Sequence, residues 1–426
     1  MSMMNKVEFL YGKKKLTAEF AEERLQGVLR SHLEEYSPEA SPEELISRAM
    51  ASPYGGKTLR ELAVGKKKVV LIASDHTRPV PSKLLIPPML REIREGNPSA
   101  EITILVATGC HRDSRREELL AKFGEEILDH EEIRIHSCDD EENLVSLGIL
   151  PSGAELRINR LAAEADLLCA EGFIEPHFFA GFSGGRKSVL PGICARKTVV
   201  GNHCSAFIDD PHCRTGILEG NLIHRDMLAA ASMAKLAYIS NVVLNSAHEV
   251  LYAVAGEPES AHGAGCDFLR RHCRVAARPA DLVLTTNGGY PLDQNIYQAV
   301  KGMTAAEATV KEGGVIIMMA ASEDGHGGEN FYRFLAEEKD NGKLMARFLA
   351  TSQDATPPDQ WQAQIFVRVL QKARVIYLSE APDETVRALH MLPAHSLEEA
   401  IRLAETMLEE NYTVTAIPDG VSVIVS

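Results

Sequence analysis

The sequence predicts an α/β protein built as two α/β domains with a ligand cleft between them, and three observations carry that prediction. The chain has 426 residues, too long for one ordinary hydrophobic core. Short apolar, β-branched runs recur, each followed by a polar loop and then a helical pattern. The series then restarts near Asp281, after Gly256–Pro279, a stretch rich in Gly, His and Arg that reads as a linker.

In chain order, Lys68–Ala73 (KVVLIA) runs into Ser74-Asp75-His76-Thr77-Arg78-Pro79, and Ile102–Ala107 (ITILVA) into Thr108-Gly109-Cys110-His111-Arg112. Asp166–Ala170 (DLLCA) leads to Gly172–His177 and a glycine-rich loop. Runs this apolar match strands buried on both faces, as in a parallel sheet covered by helices. Ser41 with Glu44, Ser114 with Glu117 and Ser396 with Glu399 read as capping boxes that start helices. The polar loops therefore fall at the carboxyl ends of strands, where open α/β sheets bind ligands, and Asp75, Arg78 and His111 share that edge. The second domain takes DLVLTT from Asp281, the loop Asn287-Gly288-Gly289-Tyr290-Pro291, GGVIIMMAA and ARVIYL. The expected domains are residues 1–265 and 280–413, and no internal repeat or low-complexity tract interrupts them.

Charge narrows the function classes. With 45 Lys+Arg against 60 Asp+Glu the net charge is −15, which repels nucleic acid and anionic membrane. An anionic ligand must then be drawn by a local cluster of positive residues. Met1–Lys15 has no apolar core before a small-residue cleavage site, and the longest apolar run, Gly314–Ala321, is too short to span a bilayer. Eight cysteines occur in no C-x-x-C pair and read as reduced thiols, so the expected setting is the cytoplasm.

Three stretches carry chemistry. In Gly181-Phe-Ser-Gly-Gly-Arg-Lys187-Ser188 the spacing nearly matches the phosphate-cradling G-x-x-x-x-G-K-[ST], but Arg186 stands where that pattern needs Gly. Small residues at Ser183, Gly184 and Gly185 let backbone N–H groups approach an anion, while Arg186 and Lys187 supply charge. A plain surface turn with solvated basic residues is the alternative. His76, His111, His177 and His203 lie in or beside edge loops, and imidazole suits proton transfer near neutral pH. His203-Cys204 and His212-Cys213 lack the usual zinc spacing. Finally, Tyr297, Gln298 and Lys301 fall at helical spacing and could clasp a carboxylate and a hydroxyl. An ordinary amphipathic helix with a solvated lysine fits those residues as well. Together the stretches indicate an enzyme acting on a small organic anion.

The segments SDHTRP (Ser74–Pro79), TGCHR (Thr108–Arg112), EPHFFAGFSGGRKSVLPG (Glu175–Gly192), GNH (Gly201–His203) and YQAVKGM (Tyr297–Met303) together resemble the nickel-pincer-nucleotide lactate racemase family. The motifs spread in order over roughly three quarters of the chain. The resemblance implies two α/β domains with the active site between them, the last strand, about residues 414–426, returning to the first domain. It implies a nickel(II) pyridinium-3,5-bisthiocarboxylic acid mononucleotide, the nickel-pincer nucleotide, tethered to Lys187 and coordinated by His203, with Asp75, Ser183, Gly184, Gly185 and Arg186 around it. Soft sulfur donors plus an imidazole suit square-planar nickel.

The implied reaction inverts the hydroxyl-bearing carbon of a small 2-hydroxy acid by hydride transfer to the cofactor. His111 and His177 match the family's two acid/bases, one for each enantiomer. Arg78 and Lys301 would hold the substrate, with Tyr297, Gln298 and Trp361 lining the pocket. Separate maturation enzymes would load the cofactor. Lactate or a similarly short acid is the favoured substrate. A larger 2-hydroxy acid such as an aldonate, malate or an aromatic acid is the alternative within the family. A phosphate- or nucleotide-binding protein without nickel is the alternative outside it.

Overall fold

The computed structural model describes residues 4–426 and divides into two compact units. The first holds residues 33–203 and 212–271; the second holds the chain up to His32, Cys204–Pro211 and His272–Ser426.

The first unit is built on a six-stranded sheet. Lys68–Ser74 lies inside it, parallel to Glu101–Ala107 on one side and Leu167–Phe173 on the other. Glu132–Ile135 continues the first side; Leu236–Leu244 and then antiparallel Val250–Gly256 continue the second. Five of the six strands are thus parallel, and their apolar runs are buried on both faces as expected. Val69, Leu71 and Ala73 pack into one core with Leu85, Met89 and Ile93 of the helix Ser82–Gly96. Each fully buried Leu, Ile or Met contributes roughly 1.5–3 kcal/mol. The chain goes from Lys68–Ser74 outward to one side, then crosses back to place Leu167–Phe173 on the other. That reversal is a topological switch point, and the loops beginning at Asp75 and Ile174 leave the sheet beside it.

The second unit carries a parallel sheet in the order Leu392–Ala394, Arg374–Leu378, Val310–Met319, Ala280–Thr286, Val414–Ile417, Leu25–Val28. Its switch point lies between Ala280–Thr286 and Val414–Ile417. The antiparallel hairpin Met4–Tyr11/Lys14–Ala21 buries Val7, Phe9 and Phe20 in the same core as Leu282, Ile317 and Val414. Among the described residues no helix is long and apolar enough to cross a membrane.

Three expectations are corrected here. The closing segment does not return to the first domain: Val414–Ile417 pairs with Ala280–Thr286 of the second sheet, and Ile424–Val425 with Arg274–Val275. Asp281 fixes that junction by accepting from the Thr413 amide (2.9 Å) and hydroxyl (2.6 Å). The first 32 residues likewise belong with the C-terminal part of the chain. Second, the expected linker contains the helix Pro258–Cys273, which buries His262, Cys266, Leu269 and Cys273 at helical spacing despite its glycines. Third, Ser41 and Ser396 cap their helices, but Ser114 does not. That helix is Arg116–Phe123 with Arg115 at its cap, and the Ser114 hydroxyl lies 2.9 Å from His76 Nδ1.

Candidate active site

The loop after Lys68–Ser74 is held from beneath by Glu171, a buried carboxylate on the neighbouring strand. It accepts from the Ser74 amide and hydroxyl, each at 2.7 Å, and from the Ser82 hydroxyl at 3.2 Å. Lys122 reaches into the same loop, donating to the carbonyls of Arg78 (3.1 Å) and Val80. With its backbone fixed, the loop presents Asp75 1% exposed beside the 44%-exposed His111 side chain, with His111 Nδ1 2.8 Å from Asp75 Oδ2. The Thr77 hydroxyl donates to the other carboxylate oxygen at 2.7 Å. Burial pushes the Asp75 carboxyl upward, but the hydrogen bond and charge of His111, the Thr77 hydroxyl and the Arg78 guanidinium outweigh it. Asp75 stays below the usual carboxylate range and is ionised. Arg78 itself is exposed.

The glycine-rich loop leaves the other side of the switch point. A two-residue ladder, Pro176–His177 against Gly181–Phe182, folds it back on itself. His177 stacks on Phe178 at 5.0 Å, meets Phe179 edge-on at 4.5 Å, and accepts the Ala180 amide at Nδ1 (3.3 Å). Ser183 accepts the Glu175 amide at 2.9 Å and donates to the Phe173 carbonyl at 3.2 Å. Gly184 (φ 74°) passes so close to the strand that a Cβ there would sit 2.7 Å from the Phe173 carbonyl oxygen. The Gly185 amide donates to Asn241 Oδ1 at 2.8 Å.

Arg186 departs from the expectation that it offers charge to a ligand. Its guanidinium is 1% exposed and turned inward, donating to the carbonyls of Ala180 (2.8 Å), Phe182 (2.9 Å), Ser183 (3.3 Å) and Gly184 (3.2 Å). Nε donates to His224 Nδ1 at 2.9 Å, and Nη1 lies 2.9 Å from His262 Nε2. Burial lowers its pKa to about 10, so it remains charged at neutral pH. No carboxylate is among these partners; aligned carbonyl dipoles and the His224 ring compensate the charge, while His262 Nε2 donates to the Ser183 carbonyl at 2.8 Å. The residue that breaks the phosphate-loop pattern is therefore the organiser of this loop.

Lys187 and His203 complete the edge. Lys187 Nζ stands 5.7 Å from the centre of the Phe179 ring, and Phe179 meets the His203 ring edge-on at 5.1 Å. Burial, and then the Lys187 charge, push the His203 pKa down to about 3, so its imidazole is neutral. Among the described residues no three His, Cys, Asp or Glu side chains gather as a metal cage.

The remaining expected residues lie in the second unit. Tyr297, Gln298 and Lys301 sit on the helix Ile296–Glu307, capped by Asn295, which accepts the Gln298 amide. Tyr297 donates to Asp359 at 3.4 Å and contacts Trp361, while burial and the Asp359 charge raise its pKa. The structure thus gathers Asp75, His111, His177, Lys187 and His203 within one unit, and Tyr297 with Trp361 within the other. Sequence reasoning missed Glu171, Asn241, His224, His262 and Asp359. His262 and Cys266, four apart, were the only available signal, and they lay in the stretch read as a linker.

A parallel sheet with an aspartate–histidine pair, a second histidine and a lysine-bearing loop around its switch point is the frame of an α/β enzyme for a small ligand. The chain belongs to the lactate racemase family and is an isomerase. The lactate racemase N-terminal domain matches residues 11–216 and the lactate racemase C-terminal domain residues 275–425. The chain is 52% identical over 423 residues to a lactate racemase of Thermoanaerobacterium thermosaccharolyticum, covering 99% of each chain. It is 50% identical over 420 residues to one of Lactiplantibacillus plantarum, covering 98% of this chain and 99% of that one. The structure of the T. thermosaccharolyticum lactate racemase apoprotein matches with a TM-score of 0.96 over 99% of this chain and 100% of that one, at 52% identity. A Thermotoga maritima protein, 21% identical, shares the fold at a TM-score of 0.65 over 92% of this chain and 100% of its own.

Proposed function

We propose that the protein racemises lactate, or an equally short 2-hydroxy acid, with a nickel-pincer nucleotide carried on Lys187. The observation that carries the reading is the pairing of a neutral, buried His203 with the Lys187 amine across Phe179, on the unit that also holds His111 and His177. The residues fit such a group. The His203 imidazole would give one donor to nickel, and the sulfur donors of the organic part would supply the rest. Lys187 would form the tether, and the Ser183–Gly185 backbone would line the nucleotide.

When bound, the cofactor supplies an electrophilic carbon for the hydride that leaves C2. The chain's own residues manage protons and orientation. His111 and His177 exchange the hydroxyl proton, Arg78 and Lys301 hold the carboxylate, and Tyr297, Gln298 and Trp361 shape the pocket. The inward turn of Arg186 disfavours the phosphate-binding alternative, because its charge already serves the loop. The setting we infer is the cytoplasm, with maturation enzymes as partners.

The test is nickel content and intact mass of protein co-expressed with cofactor-maturation enzymes, followed by chiral analysis of lactate and larger 2-hydroxy acids. Near-stoichiometric nickel, an adduct that maps to Lys187 and is lost in Lys187→Ala, and fastest turnover of lactate are expected. No nickel and no adduct, with maturation verified on a known family member, would overturn the cofactor assignment. Faster turnover of an aldonate or malate would move the substrate to the larger acids.

A further inference from the structure

We infer that the two histidines are held in opposite tautomers, with His111 preset as proton acceptor and His177 preset as hydrogen-bond donor, and that Asp75 and the Ala180 amide impose this difference. The catalytic meaning rests on the proposed function; the tautomers rest on hydrogen-bond chemistry alone.

At His111 the partner is Asp75. An ionised carboxylate can only accept, so the 2.8 Å contact requires the hydrogen on His111 Nδ1. Thr77 Oγ1, 3.5 Å from the same nitrogen, does not alter this, because its own hydrogen points to Asp75 Oδ1 at 2.7 Å. The neutral ring therefore carries its lone pair on Nε2. At His177 the partner has the opposite sense. The Ala180 amide can only donate, so Nδ1 bears the lone pair and the neutral ring carries its hydrogen on Nε2. Phe178 against the ring face and Phe179 against its edge hold that orientation.

A substrate whose hydroxyl meets His111 finds a base ready. Its mirror image, whose hydroxyl meets His177, finds an N–H. For His177 to act as base at Nε2, its hydrogen must move to Nδ1 and the Ala180 amide must lose its acceptor. The two directions of racemisation therefore differ in kcat. Enantiomers are equal in energy, so kcat/KM is the same both ways, and kcat and KM rise together for the enantiomer that meets His111.

Asp75 is the positioning residue that can be tested. In Asp75→Asn the side-chain carbonyl is fixed at the Oδ1 position, where it accepts from the Thr77 amide (3.3 Å) and hydroxyl. The NH2 group is then forced toward His111 Nδ1, which must become an acceptor and shift its hydrogen to Nε2. Long-range proton–nitrogen NMR of 15N-labelled, cofactor-free protein near neutral pH reads both rings, assigned with His111→Gln and His177→Gln. Expected are the Nδ1–H form at His111, the Nε2–H form at His177, and conversion of His111 alone in Asp75→Asn. Loaded Asp75→Asn enzyme should lose about 10³–10⁴-fold in kcat, the scale of a wrong-tautomer histidine, with KM little changed. Identical tautomers in the two wild-type rings, a measurement that needs no variant at position 75, would overturn the inference. So would an unchanged His111 in folded Asp75→Asn. Because the spectra are taken without cofactor or substrate, an error in the proposed reaction leaves them readable.

Discussion

At the edge of the first sheet, between Lys68–Ser74 and Leu167–Phe173, functional side chains face one another: Asp75 engages His111, and Lys187 and His203 flank Phe179. At the edge of the second, between Ala280–Thr286 and Val414–Ile417, the polar side chains serve backbone instead. Thr286 donates to the Pro418 carbonyl (2.6 Å), Asn287 accepts the Gly302 amide (2.9 Å), and buried Asp293 accepts the amides of Gly12 (2.6 Å) and Ala321 (3.2 Å). A cavity of about 210 Å³ opens there among Tyr11, Lys13, Tyr290, Glu323 and Glu380, yet the buried carboxylate beside it holds two strand-end loops together. Both edges lie at a switch point of their sheet. Topology supplies the place, and the partners of the strand-end side chains decide whether it becomes a site or a splice.

The contrast can be broken at Arg186, a residue of the first edge that behaves like those of the second. Arg186→Met leaves the carbonyls of Ala180 and Phe182 and a ring nitrogen of His224 without their donor, while the Ser183 carbonyl keeps His262 and the Gly184 carbonyl keeps the Lys187 amide. At about 1–3 kcal/mol for each group that stays unsatisfied, and with water relieving some, a loss of about 3–4 kcal/mol is expected. A denaturant midpoint measures it, and the Lys187 adduct should also be lost. Wild-type stability in this variant would mean that the guanidinium does not organise the loop.

At the second edge Asp293→Ala should cost about 2–3 kcal/mol by orphaning two amides, with the Lys187 adduct retained in the folded protein. Loss of the adduct without loss of stability would erase the distinction between the edges.

The smallest effect, taken per ring and per pH unit, is acid sensitivity around Arg186. Burial and the Arg186 and Arg270 charges hold His224 down to about 3; the same causes, with His224, hold His262 well below its ordinary value. Cys266, the other titratable group facing His262, has its thiol pushed up to about 12 by burial and is neutral. Unfolded histidine takes protons near pH 6.5, so between there and about pH 3 the unfolded chain binds more protons. Stability from these rings is present above pH 6.5 and falls by about 1.4 kcal/mol per pH unit per ring below it. Urea titrations between pH 7 and 5 should show the slope, and His224→Gln should reduce it. An unchanged slope would assign the acid sensitivity elsewhere.

Much of the first edge is readable locally. KVVLIA and ITILVA are too apolar to be anything but buried strands, so the polar residues after them had to lie at strand ends; Asp75, Arg78 and His111 do. The glycine-rich loop was equally visible, because Gly184 sits where a side chain would strike the strand. His262 was hidden because the glycines and charges of Gly256–Pro279 mask a stripe of buried residues.

What the sequence determined by itself is the set of strands, the loops that follow them and the residues those loops carry, since each depends on neighbours within a few positions. Tertiary structure alone decided three things. Arg186 turns inward because His224 and His262, from two other segments, meet it where four carbonyls of its own loop converge. Val414–Ile417 joins the second sheet because Asp281 takes the Thr413 amide and hydroxyl across 132 residues. Asp75 fixes the tautomer of His111 from 36 residues away. Hydrogen-bond partners of buried polar groups are set by what folding brings within 3 Å, and residue identity does not encode that distance.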